Sequence, residues 1–248
     1  MDRLIAVVTG GTRGIGLGIA EALIGRNASV AITYLHDDES AQAAEERLRK
    51  LSRDKQNVLV LKGDVADPDA VKEHHSAVVE RFGNINVLLN NAGIVSPKSI
   101  DQITPAEWNE TMGANLSSAF YWSSLVVPAM KNAQFGRIVN ISSVAARGGG
   151  VVGAHYAASK AGMLGLTRYT ARELGEFGIT VNAIAPAFIE DAGIFTKWTE
   201  EEKEDLRKKV VVPRIGRVSD VVRAFEYLLD TPFVTGVTLD VNGGTFMI

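Results

Sequence analysis

Hydrophobic residues fall in short unbroken runs separated by longer stretches of mixed polarity. The runs cover residues 4–8, 30–33, 58–61, 85–89, 137–141, 179–184 and 236–241. Each has the length of a strand. Most lack the polar alternation of a half-exposed strand, which suits parallel strands covered on both faces. Helical stretches with recognisable starts lie between them. Residues 14–26 follow a glycine turn. Asp67-Pro68 reads as N-cap and first residue before a helix over 69–82. Thr104-Pro105-Ala106-Glu107 is a capping box that opens a helix toward Met130. A long helix over 155–177 stops at Gly178, and Ser219 caps one over 220–229.

Seven strands with six mostly helical connections predict an α/β fold. The expected form is a single-domain, Rossmann-type, doubly wound parallel sheet flanked by helices. The stretch 187–212 breaks the rhythm. Inside it Thr199-Glu200-Glu201-Glu202 starts another helix that ends in Arg207-Lys208-Lys209, acids first and bases last as the helix dipole prefers. We read it as a substrate lid on one domain spanning 1–248.

Composition narrows the class. The 248 residues are 46% hydrophobic and 22% charged, ordinary values for a globular chain. A net charge of −3 makes no electrostatic case for nucleic acid or an anionic membrane. With zero cysteines, disulfides, thiol catalysis and cysteine–zinc sites are excluded. No apolar run approaches the ~18 residues of a membrane span, and the first is too short for a signal peptide. The expectation is a cytoplasmic enzyme or binding protein. The four histidines, His36, His74, His75 and His155, do not suggest a metal site. Adjacent His74 and His75 point to different helix faces and read as surface residues. His155, beside Tyr156, is a candidate for the cleft wall.

The chemistry begins at Thr9-Gly10-Gly11-Thr12-Arg13-Gly14-Ile15-Gly16, between the first strand and the first helix. A helix N-terminus offers free N–H groups and a positive dipole end to phosphate, and glycines let backbone approach it. The absence of a following Gly-Lys-Ser/Thr excludes a P-loop. Tyr156 and Lys160 stand at i and i+4, on one helix face. A free phenol titrates near ~10, so it works poorly near neutral pH. A neighbouring ammonium favours phenolate and brings acid–base work within reach. Taken alone, each of these features has a bland reading, such as a tight turn or a solvated helix face.

Together they resemble the short-chain dehydrogenase/reductase family, whose glycine signature is T-G-x-x-x-G-x-G. The resemblance runs through the whole chain. Asn90-Asn91-Ala92-Gly93 matches its N-N-A-G, Tyr156-Ala157-Ala158-Ser159-Lys160 its Y-x-x-x-K, and Val241-Asn242-Gly243-Gly244 its C-terminal pattern. Within the family the chain is closest in look to the 3-oxoacyl-[acyl-carrier-protein] reductases. The likeness implies that Ser143, thirteen positions before Tyr156, holds the substrate oxygen, that Lys160 holds the nicotinamide ribose, and that Asn115 supports a water relay to the lysine. It implies cofactor contacts from Gly10, Thr12, Arg13, Gly14, Ile15, Gly16, Tyr34, Asp64, Val65, Asn91, Ala92, Gly93, Tyr156, Lys160, Pro186 and Ile189. It also implies a homotetramer that pairs the 104–130 and 155–177 helices across one interface and the C-terminal segment across another.

The implied activity is NADPH-dependent reduction of a keto group, in a 3-oxoacyl thioester or similar substrate, to a secondary alcohol. Two alternatives stay open: an NAD-dependent dehydrogenase of a sugar, polyol or other secondary alcohol, and a catalytically silent cofactor sensor. NADP(H) is favoured over NAD(H). Tyr34 stands where NAD-using relatives carry aspartate, and Arg13 matches a basic residue common in NADP-using ones, though Asp37 and Asp38 are close enough to serve a ribose. The chain departs from the family after the sixth strand, with Ala187 for a glycine and Asp191 for a threonine. A carboxylate there would repel a pyrophosphate, so the loop is expected to sit differently or to turn Asp191 toward the substrate. Carrier-protein docking is in doubt. Gln134 and Phe177 occupy the places of the arginines that serve it, with Lys131, Arg137 and Arg172 nearby.

Overall fold

All seven apolar runs form strands, one after each predicted turn. They are β1 (Ile5–Val8), β2 (Ser29–Tyr34), β3 (Val58–Lys62), β4 (Val87–Asn90), β5 (Gly136–Ile141), β6 (Ile179–Pro186) and β7 (Thr238–Val241). The computed structural model describes residues 3–193 and 199–247. The strands make one parallel sheet in the order β3-β2-β1-β4-β5-β6-β7. The order reverses between β1 and β4, so the turns that follow these two strands open side by side. Open α/β sheets place their ligands at such a point.

Helices α1 (Gly14–Gly25), α2 (Asp38–Leu51) and α9 (Val218–Asp230) bury one face of the sheet. Ile19, Leu23, Leu48, Phe225 and Leu228 are among the side chains they contribute. The other face is covered by α3 (Pro68–Phe82), α5 (Ser118–Ala133) and α7 (Ala154–Leu174), through Val71, Val78, Trp122, Met130 and Leu174. The remaining helices are α4 (Pro105–Met112), α6 (Ala145–Gly148) and α8 (Glu200–Arg207). The lid expected over 187–212 includes residues 194–198, which lie outside the described residues. Its predicted helix is α8, opened by a Thr199/Glu202 capping box. Among the described residues no helix is long and apolar enough to cross a membrane.

Several elements differ from expectation. The pattern did not reveal α2, which buries a narrow stripe of Ala41, Ala44 and Leu48 and is otherwise polar. Ser219 is not the cap of α9. The helix starts at Val218, because the Asp220 carboxylate accepts from Arg217 N at 2.9 Å and Asp191 Oδ1 accepts from Val218 N at 2.8 Å. The helix that opens at Thr104 passes through one π-helical turn, Gly113–Ser117, before α5. Such turns re-aim side chains, frequently at functional sites. His74 is buried, not on the surface. Its Nε2 bonds the Lys62 carbonyl at 3.1 Å, which ties α3 to β3.

Candidate active site

The first two connections to build are the turns after β1 and β4. Gly10 and Gly14 adopt left-handed φ of 61° and 54°, which glycine reaches without strain. Gly16 lies against this turn: a Cβ there would come within 2.4 Å of the Gly10 carbonyl and 2.6 Å of Asn91 Nδ2. The turn is held from the side by β4. Asn91 Nδ2 donates to the Thr9 and Gly10 carbonyls, both at 2.9 Å. Thr9 Oγ1 in return accepts from the Asn91 and Ala92 amides, both at 2.9 Å. Residues Thr12 to Gly16 thus enter α1 with its first amides facing the groove, the geometry that receives an anion. Asn91 is bound to the protein through this brace, and Gly93 packs closely on Asn115 and Lys160, since a Cβ there would stand 2.9 Å from Asn115 Oδ1 and 3.5 Å from Lys160 Nζ.

At the far end of the groove Tyr34 closes β2, and Asp64 follows β3 with a carboxylate oxygen accepting from Ala66 N at 2.8 Å, while Val65 is half-buried beside it. Both acids offered as ribose partners are engaged within the protein. Asp37 caps α2, accepting from Ser40 N at 2.9 Å and Ser40 Oγ at 2.7 Å. Asp38 accepts from the Tyr34 hydroxyl and from Lys62, both at 2.8 Å. Arg13 extends into solvent with only a 3.4 Å contact to Asp37.

At the other end, β5 and α7 bring three side chains together. Ser142 and Ser143 separate in role. Ser142 Oγ donates to the Lys160 carbonyl at 2.9 Å and braces α7. Ser143 Oγ accepts from Ala145 N at 3.1 Å, starting α6, and its hydroxyl lies close enough to the Tyr156 phenol to act on its proton affinity. Lys160 lies on the same face of α7, with Nζ 5.8 Å from the Tyr156 ring centroid. Its ammonium donates to the Ile141 carbonyl at 2.8 Å, leaving two further donors of its three. A buried ladder behind the site, Asn90 to Asn140 to Thr167 with both bonds at 2.8 Å, fixes β4, β5 and α7 to one another.

The electrostatics differ from the simple expectation of a phenol lowered by an ammonium. Burial pushes the Tyr156 phenol up, and the neighbouring Ser143 hydroxyl offsets this in part. Burial also brings the Lys160 ammonium down to about 8. At neutral pH the resting site therefore holds a protonated phenol beside a largely protonated lysine. That is a proton donor ready for use.

Asn115 sits in the π-helical turn, fully buried. Its amide is taken up by protein: Oδ1 accepts from Ile94 N at 2.7 Å, and Nδ2 donates to the Ile94 carbonyl and Ser159 Oγ, both at 3.1 Å. The side chain ties the loop after β4 to α7 beside Lys160. His155 is fully buried and is core, not cleft wall.

The segment after β6 carries an unusual backbone. Phe188 adopts a φ of 49°, rare for an aromatic residue. Pro186 ends β6, and Ile189 pairs with Gly216 in a bridge beside it. Ile189 is buried, and its carbonyl accepts from Ala192 N at 3.1 Å. Ala192 rests against Gly14, 3.2 Å from where a Cβ would stand. Asp191 has a partner within the protein: its carboxylate accepts from Val218 N at 2.8 Å and caps α9.

A parallel sheet with a glycine turn at its switch point, and a Ser–Tyr–Lys group at the neighbouring strand ends, defines a nicotinamide-dependent oxidoreductase. The chain belongs to the short-chain dehydrogenase family, whose model matches residues 4–203. It is 36% identical to the 3-oxoacyl-[acyl-carrier-protein] reductases of Staphylococcus aureus and Escherichia coli, over 98% of this chain and 98% of each relative. The Haemophilus influenzae enzyme of that name is 35% identical over the full length of both chains. The protein is therefore an oxidoreductase acting on a CH–OH/C=O pair.

Proposed function

We propose that the protein reduces a keto group to a secondary alcohol with NADPH, the substrate being a 3-oxoacyl thioester or a similar ketone. The observation that carries this reading is the protonated Tyr156 phenol beside the Ser143 hydroxyl, with Lys160 Nζ 5.8 Å from its ring centroid. The substrate carbonyl oxygen takes the place beside both hydroxyls. Ser143 donates a hydrogen bond to it and stabilises the charge that grows there. The bound cofactor supplies the hydride that reaches the carbonyl carbon. Tyr156 gives its proton to the oxygen, completing the alcohol, and is left as phenolate. The Lys160 cation lowers the energy of that phenolate, and its free donors hold the nicotinamide ribose. Asn115 positions Lys160 through Ser159 and the Ile94 loop.

Thr12, Arg13, Gly14, Ile15 and Gly16 hold the pyrophosphate, with Gly10, Asn91, Ala92 and Gly93 shaping the groove. Asp64 and Val65 flank the adenine. Pro186 and Ile189 line the nicotinamide end. NADP(H) is preferred because Asp37 and Asp38 are both hydrogen-bonded within the protein, and Arg13, exposed and held by Asp37 at 3.4 Å, can turn to meet a 2′-phosphate. The segment 187–212 acts as the lid of a single domain.

The substrate is a free or small-thiol-linked ketone, with weak dependence on a carrier protein. Arg137 is buried against the Leu229, Gly136 and Gly178 carbonyls, and Lys131 pairs with Glu173 and stacks over Phe177 at 4.9 Å. Neither is available to an acidic partner. The protein assembles as a homotetramer. Exposed Phe120 and Tyr169 on α5 and α7, and exposed Tyr227, Phe233 and Met247 toward the C-terminus, are apolar surface that association would cover. The deciding assay follows NADPH oxidation against a panel of ketones and 3-oxoacyl thioesters. Turnover of none of them sinks the reading. A hundredfold preference for the carrier-linked form over the same acyl group on a small thiol sinks its carrier clause. A monomer mass by light scattering at micromolar concentration sinks the tetramer.

A further inference from the structure

The ends of β2 and β3 carry a charged group that neither the motifs nor the proposed chemistry uses. Tyr34 and Lys62 are register partners on these strands. Lys62 Nζ donates to Asp38 Oδ2 at 2.8 Å and lies 5.9 Å from the Tyr34 ring centroid. Lys62 Nζ also lies 2.8 Å from Asp38 Oδ1, the oxygen that accepts from the Tyr34 hydroxyl at 2.8 Å. One carboxylate thus holds both side chains. The backbone of Lys62 is held as well. Its carbonyl accepts from His74 Nε2 at 3.1 Å, and Gly63 leaves the room for that ring, since a Cβ there would come within 2.8 Å of it.

The Arg13–Asp37 pair repeats the arrangement one residue away. Asp37 and Asp38 are neighbours at the start of α2, so Arg13 reaches this point from the β1 turn and Lys62 from β3. Between the two cations lies the end of β2, where the adenosine ribose of a dinucleotide rests.

We propose that Lys62 is a second specificity-determining cation, acting with Arg13 on the 2′-phosphate of NADP(H). The inference rests on the NADPH reading above. Charge is the first reason. Arg13 and Lys62 against Asp37 and Asp38 make a neutral cluster, whereas Arg13 alone would leave it at −1, hostile to a phosphate monoester that is close to doubly charged. Donor count is the second. An ammonium has three donors, and Asp38 uses at most two, so Lys62 can bind a phosphate oxygen without leaving its place. Asp38 and His74 pre-position the lysine, which lowers the ordering cost on binding.

Calorimetric titration of the full-length protein tests this, using NADP⁺, NAD⁺ and the fragments 2′,5′-ADP and 5′-AMP. Lys62→Met keeps the aliphatic stem over Tyr34 and removes the charge. We expect about tenfold weaker binding of NADP⁺ and 2′,5′-ADP, the size of one charge-assisted hydrogen bond. NAD⁺ and 5′-AMP should bind as in the wild type, which also reports that the variant is folded. Equal losses for all four ligands, or no loss for any, overturn the inference. Arg13→Ala in parallel separates it from the reading beneath it. If Arg13→Ala discriminates and Lys62→Met does not, the NADPH reading stands and Lys62 is excluded. If the wild type binds 2′,5′-ADP no better than 5′-AMP, the NADPH reading fails first.

Discussion

The two ends of the cofactor groove are built in opposite ways. At the Tyr156 end Lys160 and Ser143 are buried and Tyr156 is half-buried, and the surroundings are braced: Lys160 by the Ile141 carbonyl, Ser143 by the Ala145 amide, and α7 itself by Ser142. At the Tyr34 end the groups stand in solvent, with the Arg13 side chain 79% exposed and Lys62 52% exposed. Burial shifts proton affinities strongly, and exposure does not. The proposed chemistry lies where desolvation brings Lys160 down to about 8 and pushes the phenol up. The proposed selection between cofactors lies where exposed ions are screened and each contributes modestly. The first end should fail completely when one atom is removed, and the second should fail by degrees.

The sharpest break is Tyr156→Phe. It removes one hydroxyl and keeps the ring, so keto reduction should fall by about 10²–10⁴-fold with thermal stability little changed. Near-wild-type turnover would show that the buried end does not perform the proton transfer. Next in size is Gly16→Ala, which forces a methyl toward the Gly10 carbonyl and Asn91 Nδ2. A shift of the turn costing roughly 1–3 kcal/mol is expected. Dinucleotide binding should weaken at least tenfold in titration, for NADPH and NADH alike.

The pH profile tests the electrostatic half of the comparison. Burial penalises the Lys160 cation, so the ammonium is lost as pH rises through about 8, well below an exposed lysine. Reduction under saturating cofactor and substrate should decline above that point, because the phenolate left on Tyr156 then lacks its cation. A rate flat to pH 10 would contradict this. Arg13→Ala is smaller and selective: about tenfold weaker NADPH binding with NADH unchanged, read by fluorescence titration. Raising the ionic strength should shrink that difference while leaving the Tyr156→Phe effect intact. The smallest effect is Asp191→Ala, which removes a cap from α9. A loss of about 1 kcal/mol by chemical denaturation is expected, with cofactor affinity unchanged. A large change in affinity would place Asp191 in the cofactor site after all.

The strand runs, the glycine turn, the capping box at Thr104 and the Tyr156/Lys160 spacing were legible in the sequence. Each is a local signal: a run of apolar residues, a turn that needs glycine, a cap three residues from its partner, or two residues one helical turn apart. α2 was not legible, because three small or narrow contacts, Ala41, Ala44 and Leu48, suffice to bury it. The part of the site that depends on distant contacts was not legible either. The assignment of Asp191 to the start of α9, 27 residues away, reversed the reading of that residue. His74 read as surface until β3 was seen to lie beside it.

By itself the sequence determined the strand order along the chain and the sheet class, since these follow from neighbours along the chain, and its family resemblance named the candidate working groups. Only the tertiary structure decided which acids and cations are paired with one another. Asp37, Asp38, Arg13 and Lys62 come from three separate connections, and their pairing is a consequence of strand register at the end of β2 and β3. It also decided the protonation state of the active pair, because desolvation of Tyr156 and Lys160 is a property of what packs around α7 and is not written at positions 156 and 160.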